Sequence, residues 1–379
     1  MTWAGGLAYT NTPDSVAHAT QIEPGNATYH GLLAEHQEAV SKDPKPELTI
    51  ATRLSPRESR YWARLAFRAE VEGNFDAAVK HLTQAADVDR TFAPRWALAN
   101  FYLRRGQTEQ FWVWIGKSLE MAPPDPESVF QLAWSVSQDG EKIRGLLPQG
   151  RDLQRSYVGW LVAYQPAAVS KGPAMELAEK GTAEDLPVLL GFCNKAAAID
   201  PAGMLAMWNA LCSRNLMPCT ALPANQSQLV TDPSFQQASN GTGLSWGFAN
   251  QPGISVIREG TKDGVSIELR GRQAERLVLL WQRVPLLGTH QYQLSYEYRM
   301  DGIRGKTGLH WEISEFKQDR NLIPEAPRLA SVEWRDEHVE FESREDTVGQ
   351  LRFVYQREPG SLPWQGTVHL RNVRIGKVQ

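Results

Sequence analysis

The stretch WARLAFRAEVEGNFDAAVKHLTQA, residues 62–85, decides how the first half of the chain folds. Trp62, Leu65 and Ala69 recur at intervals of three and four residues, which places an apolar stripe on one face of a helix. Gly73 and the asparagine after it favour a break in the helix, and the small alanines beyond them allow a second helix to pack closely. The stretch therefore predicts a pair of antiparallel helices.

The same pattern returns along the first 130 residues at spacings of 32 to 34 residues. The aromatic positions are Tyr29, Trp62, Trp96 and Phe130, the small positions are Ala19, Ala51, Ala85 and Ser118, and the turn positions are Pro24, Pro56, Arg90 and Pro123. Three series with one period predict stacked helical pairs, clearest over residues 13–123. The pattern resembles the tetratricopeptide repeat, with Arg90 in a position where that repeat has proline.

Helical periodicity continues after residue 123 over residues 126–137, 152–164, 173–180, 184–198 and 201–213. Asp200-Pro201 supplies an N-cap and a first-turn proline for the last of these helices. Thr12-Pro13 does the same for the first complete helix, whose partner would begin before Met1. We therefore expect that an upstream segment precedes this sequence, and a membrane anchor is one form that it could take.

The last third of the chain changes from helical periodicity to strict alternation. Tyr292, Leu294, Tyr296 and Tyr298 alternate with polar residues, and several other short segments do the same. Alternation with period two is typical of antiparallel strands that have one face in the core and one in water. We therefore predict a multidomain α + β protein with an α-solenoid over 1–218, a linker over 219–228 and a β-sandwich or jelly roll over 229–379.

Short motifs in the β region resemble carbohydrate-binding modules. These are Leu229-Val-Thr-Asp-Pro-Ser-Phe235, Gly243-Leu-Ser-Trp246 and the closing segment Gly366–Ile375. Many such modules have an acidic residue near the end, close to a structural calcium, where this chain has Asn372, so we predict no metal and no cofactor. The two halves together resemble bacterial tetratricopeptide proteins that end in such a module, a group associated with cell-envelope polysaccharide machinery.

The composition excludes several classes of protein. The net charge is -3 and the basic residues are scattered, so the sequence predicts no nucleic-acid partner. Cys193, Cys212 and Cys219 form no zinc motif and are expected to be small buried side chains, with a Cys212–Cys219 bridge as the alternative in an oxidising compartment. No apolar run is long enough to span a membrane. The sequence does not determine the compartment. A periplasmic or inner-membrane location would follow if an anchor precedes this sequence.

The sequence predicts no catalytic residues, because it contains none of the usual motifs of hydrolases, phosphate-binding enzymes or dinucleotide-binding enzymes. Glu312 and Glu315 suggest a glycosidase pair at first sight. Their odd spacing on one strand, however, sends the two side chains to opposite faces. The alternative is a glycan-active enzyme or lyase accessory with a site at the domain junction.

The β region offers a polar strand face and two tryptophans beside turns as a candidate glycan site, since sugars bind to exposed aromatic rings framed by polar groups. These candidates are Trp246, Arg299, His310, Glu312, Arg352, Gln356 and Trp364. Two alternatives involve no ligand. In one the polar face is simply solvated, and in the other the sandwich only packs on the last helices.

The helical region offers a groove lined by the first helix of each pair, the surface on which such solenoids hold a protein partner. By register, its candidate residues are His30, Gln37, Arg60, Phe67, Glu70, Phe101 and Arg104. Phe67 and Phe101 are the most informative, because apolar side chains that face an open groove indicate a partner. In the alternative, later helices fill the groove. The sequence thus favours a non-enzymatic scaffold that binds a protein and polysaccharide.

Overall fold

The computed structural model describes residues 11–237, 241–258, 264–301, 307–316, 320–323 and 327–378. Its helices are α1 Pro13–Ile22, α2 Ala27–Ala39, α3 Lys45–Leu54, α4 Ser59–Val71, α5 Phe75–Val88, α6 Phe92–Arg104, α7 Thr108–Leu119, α8 Pro126–Ser137, α9 Gly140–Arg144, α10 Arg151–Tyr164, α11 Ala167–Glu179, α12 Leu186–Ala196 and α13 Pro201–Ser213, with a 3-10 turn at Ala183–Asp185. These helices precede a region of two antiparallel sheets, which confirms the predicted fold class.

The chain forms two compact units, Met1–Tyr157 and Val158–Gln379. Residues 219–228, the predicted linker, lie inside the second unit and carry neither helix nor strand. The second unit nevertheless also contains helices α11 to α13, together with the sheets.

Helices α4 and α5 form the pair that the opening stretch predicts. Gly73 has a φ of 77°, a backbone conformation that glycine adopts without strain, and Asn74 accepts a hydrogen bond from the backbone N–H of Ala77 at 3.2 Å. Around this turn Leu82 and Ala78 pack with Phe101 in one apolar cluster. The helices α4 and α6 are also tied directly, by the ion pair described below.

The predicted helix starts are confirmed at both ends of the helical region. Thr12 caps α1 by accepting a hydrogen bond from the N–H of Ser15 at 3.3 Å, and Asp200 caps α13 through the N–H of Gly203 at 2.8 Å. The prediction for 173–180 was too short, because α11 begins at Ala167 and contains Pro173. The expected tail of an upstream helix falls on residues 1–10, outside the described residues.

The strands are β1 Gly247–Phe248, β2 Ile254–Arg258, β3 Val265–Arg270, β4 Arg276–Leu286, β5 His290–Asp301, β6 Leu309–Glu315, β7 Arg335–Ser343, β8 Thr347–Gln356 and β9 Gln365–Lys377. They form a four-stranded sheet in the order β1-β4-β8-β6 and a five-stranded sheet in the order β2-β3-β9-β5-β7. Every pairing is antiparallel.

A single apolar core contains the inward-facing side chains of both sheets. Trp311 of β6 lies at its centre, with ring centroids 4.9 Å from Phe353 of β8 and 5.7 Å from Tyr296 of β5. The predicted alternation is therefore realised on strands of both sheets.

The last helices pack on the sandwich within the second unit. Trp208 and Leu211 of α13 share an apolar cluster with Val348 of β8. A disulfide joins Cys212 to Cys219, with 5.2 Å between their Cα atoms, so these two residues are not the free apolar side chains expected from the sequence, whereas Cys193 is buried and free. Among the described residues, none of the helices has both the length and the apolar character that a membrane span requires.

Candidate functional site

The outer face of the four-stranded sheet brings an aromatic ring beside charged side chains. Cross-strand pairing places Trp281 of β4 opposite Arg352 of β8, and Arg352 opposite Glu312 of β6. Directly opposed residues of antiparallel strands have Cβ atoms about 4.5–5.5 Å apart. One row of side chains thus crosses three strands, and we call the outer surface around it the platform face.

Trp281 is the aromatic group of the platform face. Trp281 is partly exposed, and its ring lies against Gly247, the first residue of β1, and against Gly241 in the segment before that strand. A Cβ atom on Gly247 would lie 2.1 Å from Trp281 Cε2, and one on Gly241 would lie 3.3 Å from Trp281 Nε1. Only a residue without a side chain at Gly247 lets the indole occupy this position.

Glu312 is held as an anion by a network of cations. The Arg276 guanidinium donates to its carboxylate at 2.7 Å, and His310 Nε2 lies 3.1 Å from its second oxygen. Arg328 donates to His310 Nδ1, and the carbonyl oxygen of Gly308 lies 3.1 Å from the same nitrogen. The hydrogen bond from His310, followed by the charges of Arg276 and Arg352, lowers the pKa of Glu312.

Four of the predicted glycan-site residues share this face: His310 and Glu312 on β6, and Arg352 and Gln356 on β8. Arg299 does not join them, because it lies on β5 in the five-stranded sheet. Alternation along a strand predicts which residues share a face of that strand, but it cannot tell which strands belong to the same sheet.

Trp246 and Trp364 are buried, contrary to the expectation that tryptophans beside turns are exposed. Trp246 is 1% exposed, donates from Nε1 to the carbonyl of Asp232 at 3.0 Å and packs against Phe235. Trp364 is 6% exposed, and its backbone N–H donates to Tyr355 Oη at 3.1 Å. The turns fold back over the core, so neither ring offers a surface for a sugar.

Sequence reasoning missed Trp281. It stands in the apolar run RLVLLWQRVPLL at 276–287, in which no simple alternation is visible. The cause is a register shift between Val278 and Leu280, which changes the phase of β4 in the middle of the strand. The available signal was local: Trp281 shares its phase with Arg283, while Gln282 between them is fully buried.

The outer face of the five-stranded sheet carries a second aromatic residue, Trp334. The guanidinium of Arg371 lies 4.0 Å and that of Arg299 5.6 Å from its ring centroid. Arg371 also donates to Glu297 at 2.7 Å. The ring of Trp334 is therefore in contact with cations of its own sheet.

Ser266, His369 and Asp301 form a hydrogen-bonded chain across three strands of that sheet. Ser266 Oγ lies 2.7 Å from His369 Nδ1, and His369 Nε2 lies 2.9 Å from Asp301. The order of groups is that of a serine hydrolase relay. Ser266, however, lies within β3, which is paired on both sides, so the neighbouring backbone N–H groups are used in the sheet and do not form an oxyanion hole. We interpret the chain as a cross-strand tie.

A cavity of about 300 Å³ lies between the last helices and the sandwich, within the second unit. Its described lining residues are Leu186, Leu190, Trp208, Met217, Pro218, Thr231, Asp232, Gln237, Thr242, Ser245 and Trp246. Of these, only Asp232 is ionisable, and its two carboxylate oxygens accept the backbone N–H groups of Gln236 at 2.7 Å and Gln237 at 2.8 Å. The cavity is therefore walled mainly by apolar groups.

The predicted groove residues of the helical unit fall into buried and exposed groups. His30 is 5% exposed, with its ring nitrogens 2.6 Å from Glu47 and 2.9 Å from the carbonyl of Pro24, and Phe101 is 1% exposed. These two residues face the protein interior, so the prediction that they line an open groove was wrong. Their neighbouring helices cover them.

The other predicted groove residues remain at the surface. Phe67 is 63% exposed, Arg60 is exposed, and Gln37 is partly exposed. Arg104 of α6 donates twice to Glu70 of α4, each time at 2.7 Å, which ties helices 34 residues apart in the sequence.

Within the described ranges, no group of three or more histidine, cysteine, aspartate or glutamate side chains is arranged to hold a metal ion. The ionisable groups of the platform face bond to one another instead.

Comparison with known proteins finds similarity only among solved structures. No protein-family profile and no curated protein matches the chain. Its structural neighbours include carbohydrate-binding modules. One is the CBM22-1 xylan-binding domain of Xyn10C from Paenibacillus barcinonensis, at 10% identity and a TM-score of 0.29, with 41% of this chain and 99% of that domain covered.

A CBM4 structure gives 15% identity and a TM-score of 0.29 over 41% of this chain and 99% of its own. The module CBM6cm-2 from Cellvibrio mixtus lichenase 5A, in complex with cellotriose, gives 11% identity and a TM-score of 0.24 over 35% and 92%. These identities and TM-scores are too low to support a conclusion on function. Any functional proposal must therefore be argued from the residues of the site itself.

Proposed function

We propose that the β-sandwich is a non-catalytic module that binds polysaccharide on its platform face. The observation that carries the proposal is the row of Trp281, Arg352 and Glu312 across three strands, with the Trp281 ring lying against Gly247. An aromatic ring supplies a flat apolar surface for the C–H face of a sugar, and the adjacent side chains supply donors and acceptors for its hydroxyl groups.

The charges of the platform face support binding rather than catalysis. A general acid for glycoside hydrolysis needs a carboxyl group whose pKa is raised, so that it carries a proton near neutral pH. The pKa of Glu312 is instead lowered by His310 and by two arginines, which favours a fixed anionic acceptor. A site in the cavity beside α13 would contradict this part of the proposal.

A glycan array with three forms of the intact chain tests the binding site. We expect the wild-type protein to bind at least one class of polysaccharide and Trp281→Ala to lose at least about tenfold in affinity, because aromatic contacts carry much of the binding energy of such surfaces. Trp334→Ala is the matched control, since Trp334 is a partly exposed tryptophan on the other sheet. Equal binding by wild type and Trp281→Ala would exclude the platform face.

We further propose that the helical unit is a tetratricopeptide-type solenoid that binds a protein partner. Phe67 and Val71 support this, because they are 63% and 61% exposed and lie four residues apart on α4, on one face of the helix. The Glu70–Arg104 pair beside them provides polar contacts at the edge of this apolar surface. A link to cell-envelope polysaccharide assembly stays a prediction from the sequence resemblance.

Quantitative affinity purification with the intact chain tests this second proposal. A partner should be retained by wild type and lost by Phe67→Ser. Val113→Ser is the matched control, because Val113 is a 47% exposed apolar residue on α7, the second helix of its pair. A partner that binds Phe67→Ser as well as it binds wild type would contradict the use of this surface.

A further inference from the structure

We infer that the glycan site of the platform face continues onto helix α12, and that Asn194 of this helix binds the sugar beside Trp281. The inference rests on the proposed glycan-binding function and adds a binding residue from outside the sandwich. It starts from the contact between the last helices and the four-stranded sheet, because this contact brings a polar helix residue to the edge of the platform face.

The last helices cover one end of the outer face of the four-stranded sheet. Val348 of β8 is buried and shares an apolar cluster with Leu211 of α13. Leu351 of the same strand belongs instead to the core of the sandwich. Residues an odd number of positions apart on a strand point to opposite faces, so Val348 lies on the outer face together with Arg352. The platform face is therefore bounded by helices on the side of Val348.

A second row of polar side chains lies between the helices and the row of Trp281. Arg283 of β4 is opposite Gln350 of β8, which is opposite Ser314 of β6. Arg283 follows Trp281 by two residues, so the two side chains share a face and their Cα atoms are about 7 Å apart. A sugar stacked on the indole therefore has Arg283 as its neighbour on the side of the helices.

Arg283 is tied to α12 through Asn194. Its guanidinium donates a hydrogen bond to Asn194 Oδ1 and lies 4.8 Å from the ring centroid of Phe316. Because arginine has no acceptor, the amide atom that faces it must be the oxygen, and the two N–H groups of Nδ2 point elsewhere. Asn194 is exposed, and among the described residues its Nδ2 has no protein acceptor. These N–H groups are therefore available to the oxygen atoms of a sugar.

Helix α12 holds Asn194 in a fixed position. The residue before it, Cys193, is buried in the cluster of the last helices, and the residue after it, Lys195, donates from Nζ to the carbonyl oxygen of Val162 at 2.6 Å. This turn of the helix is thus anchored on both sides of Asn194. A group that is positioned before binding loses less conformational freedom when a ligand arrives, which favours a contact between this amide and the sugar.

Calorimetric titration of the intact chain measures the contribution of Asn194. The probes are arabinoxylan, hydroxyethylcellulose, laminarin, galactomannan, polygalacturonate and any further glycan that binds in the array. Asn194→Ala removes the whole amide and should weaken binding about three- to tenfold, which is the effect of one or two lost hydrogen bonds. Because Asn194 is exposed, this variant should keep the urea midpoint of the wild type.

Asn194→Asp separates a contact with the sugar from a role in positioning Arg283. A carboxylate still accepts the hydrogen bond from Arg283 but has no N–H to offer, so we expect this variant to bind as weakly as Asn194→Ala. The titrations are made at about 1 M salt, where the Debye length is about 3 Å and the added charge is screened.

Asn225→Ala is the matched control. Asn225 is also an exposed asparagine whose Oδ1 accepts a hydrogen bond, here from the backbone N–H of Ser227 at 3.1 Å. The neighbouring Gln226 accepts a hydrogen bond from the N–H of Lys377 in β9, so Asn225 lies beside the other sheet. This variant should bind every probe as the wild type does.

The possible results separate this inference from the proposed function. If Trp281→Ala weakens binding at least about tenfold while both Asn194 variants bind as the wild type does, the platform face remains the glycan site and its extension onto α12 is overturned. If Asn194→Ala weakens binding and Asn194→Asp does not, Asn194 only positions Arg283, and the contact with the sugar is overturned. An equal loss in Asn225→Ala would also overturn it. Failure of the wild type to bind any probe would overturn both proposals.

Discussion

Phe67 and Phe101 occupy equivalent positions 34 residues apart, and we predict that their replacement by alanine has very different costs. Phe101 is 1% exposed and packs in a cluster with Ala66, Ala69 and Leu98. Removing a buried phenylalanine costs about 3–5 kcal/mol, because the transfer energy of the ring is lost and a cavity remains. Phe67 is 63% exposed, so Phe67→Ala should change the free energy of unfolding by no more than about 0.5–1 kcal/mol.

Urea unfolding of the intact chain, followed by circular dichroism at the helical band, measures both costs. With a slope of about 2 kcal/mol/M, Phe101→Ala should lower the midpoint of the helical transition by about 1.5–2.5 M. Phe67→Ala should lower it by less than about 0.5 M. Equal and small shifts for the two variants would mean that Phe101 is exposed in an open groove. That result would contradict the burial of its side chain.

Three further predictions concern the second unit. Gly247→Ala should weaken glycan binding as much as Trp281→Ala does, because its Cβ would collide with the indole, whereas Gly172→Ala, with open space around it, should not. Loss of the Cys212–Cys219 disulfide should cost about 2–3 kcal/mol of stability, and titration of thiols in denaturant should find one before reduction and three after it. The folded-state pKa of Glu312 lies below its ordinary value, so ionised Glu312 stabilises the fold at neutral pH. The difference in unfolding free energy between wild type and Glu312→Gln should therefore shrink as the pH falls through the lowered pKa. A constant difference from pH 7 to pH 3 would contradict this.

The features that could be predicted from the sequence are those that a single periodicity determines. The spacing of Trp62, Trp96 and Phe130 predicts the helical pairs, and the alternation from Tyr292 to Tyr298 predicts a strand with its tyrosines inside. Both predictions need only local geometry, since side chains repeat every 3.6 residues in a helix and every two in a strand.

The candidate site was predictable only in part, because it depends on strand order and on a break in periodicity. Arg299 lies on the polar side of its own strand, as the other candidates do on theirs, but its strand belongs to the other sheet. No local pattern in the sequence reveals this. Trp281 was hidden by a register shift within an apolar run. Trp246 shows the third limit, since a position beside a turn does not determine whether the turn folds over the core.

The most direct test of the account is to observe Trp281 while the protein binds a glycan. The chain has 13 tryptophans, so uniform labelling with 5-fluorotryptophan gives a fluorine NMR spectrum in which Trp281→Phe and Trp334→Phe identify the two resonances of interest. Saturation with the glycan that binds best in the array should shift the Trp281 resonance and leave that of Trp334 unchanged. A bound glycan that leaves the Trp281 resonance unmoved would contradict the claim that the platform face is the binding site.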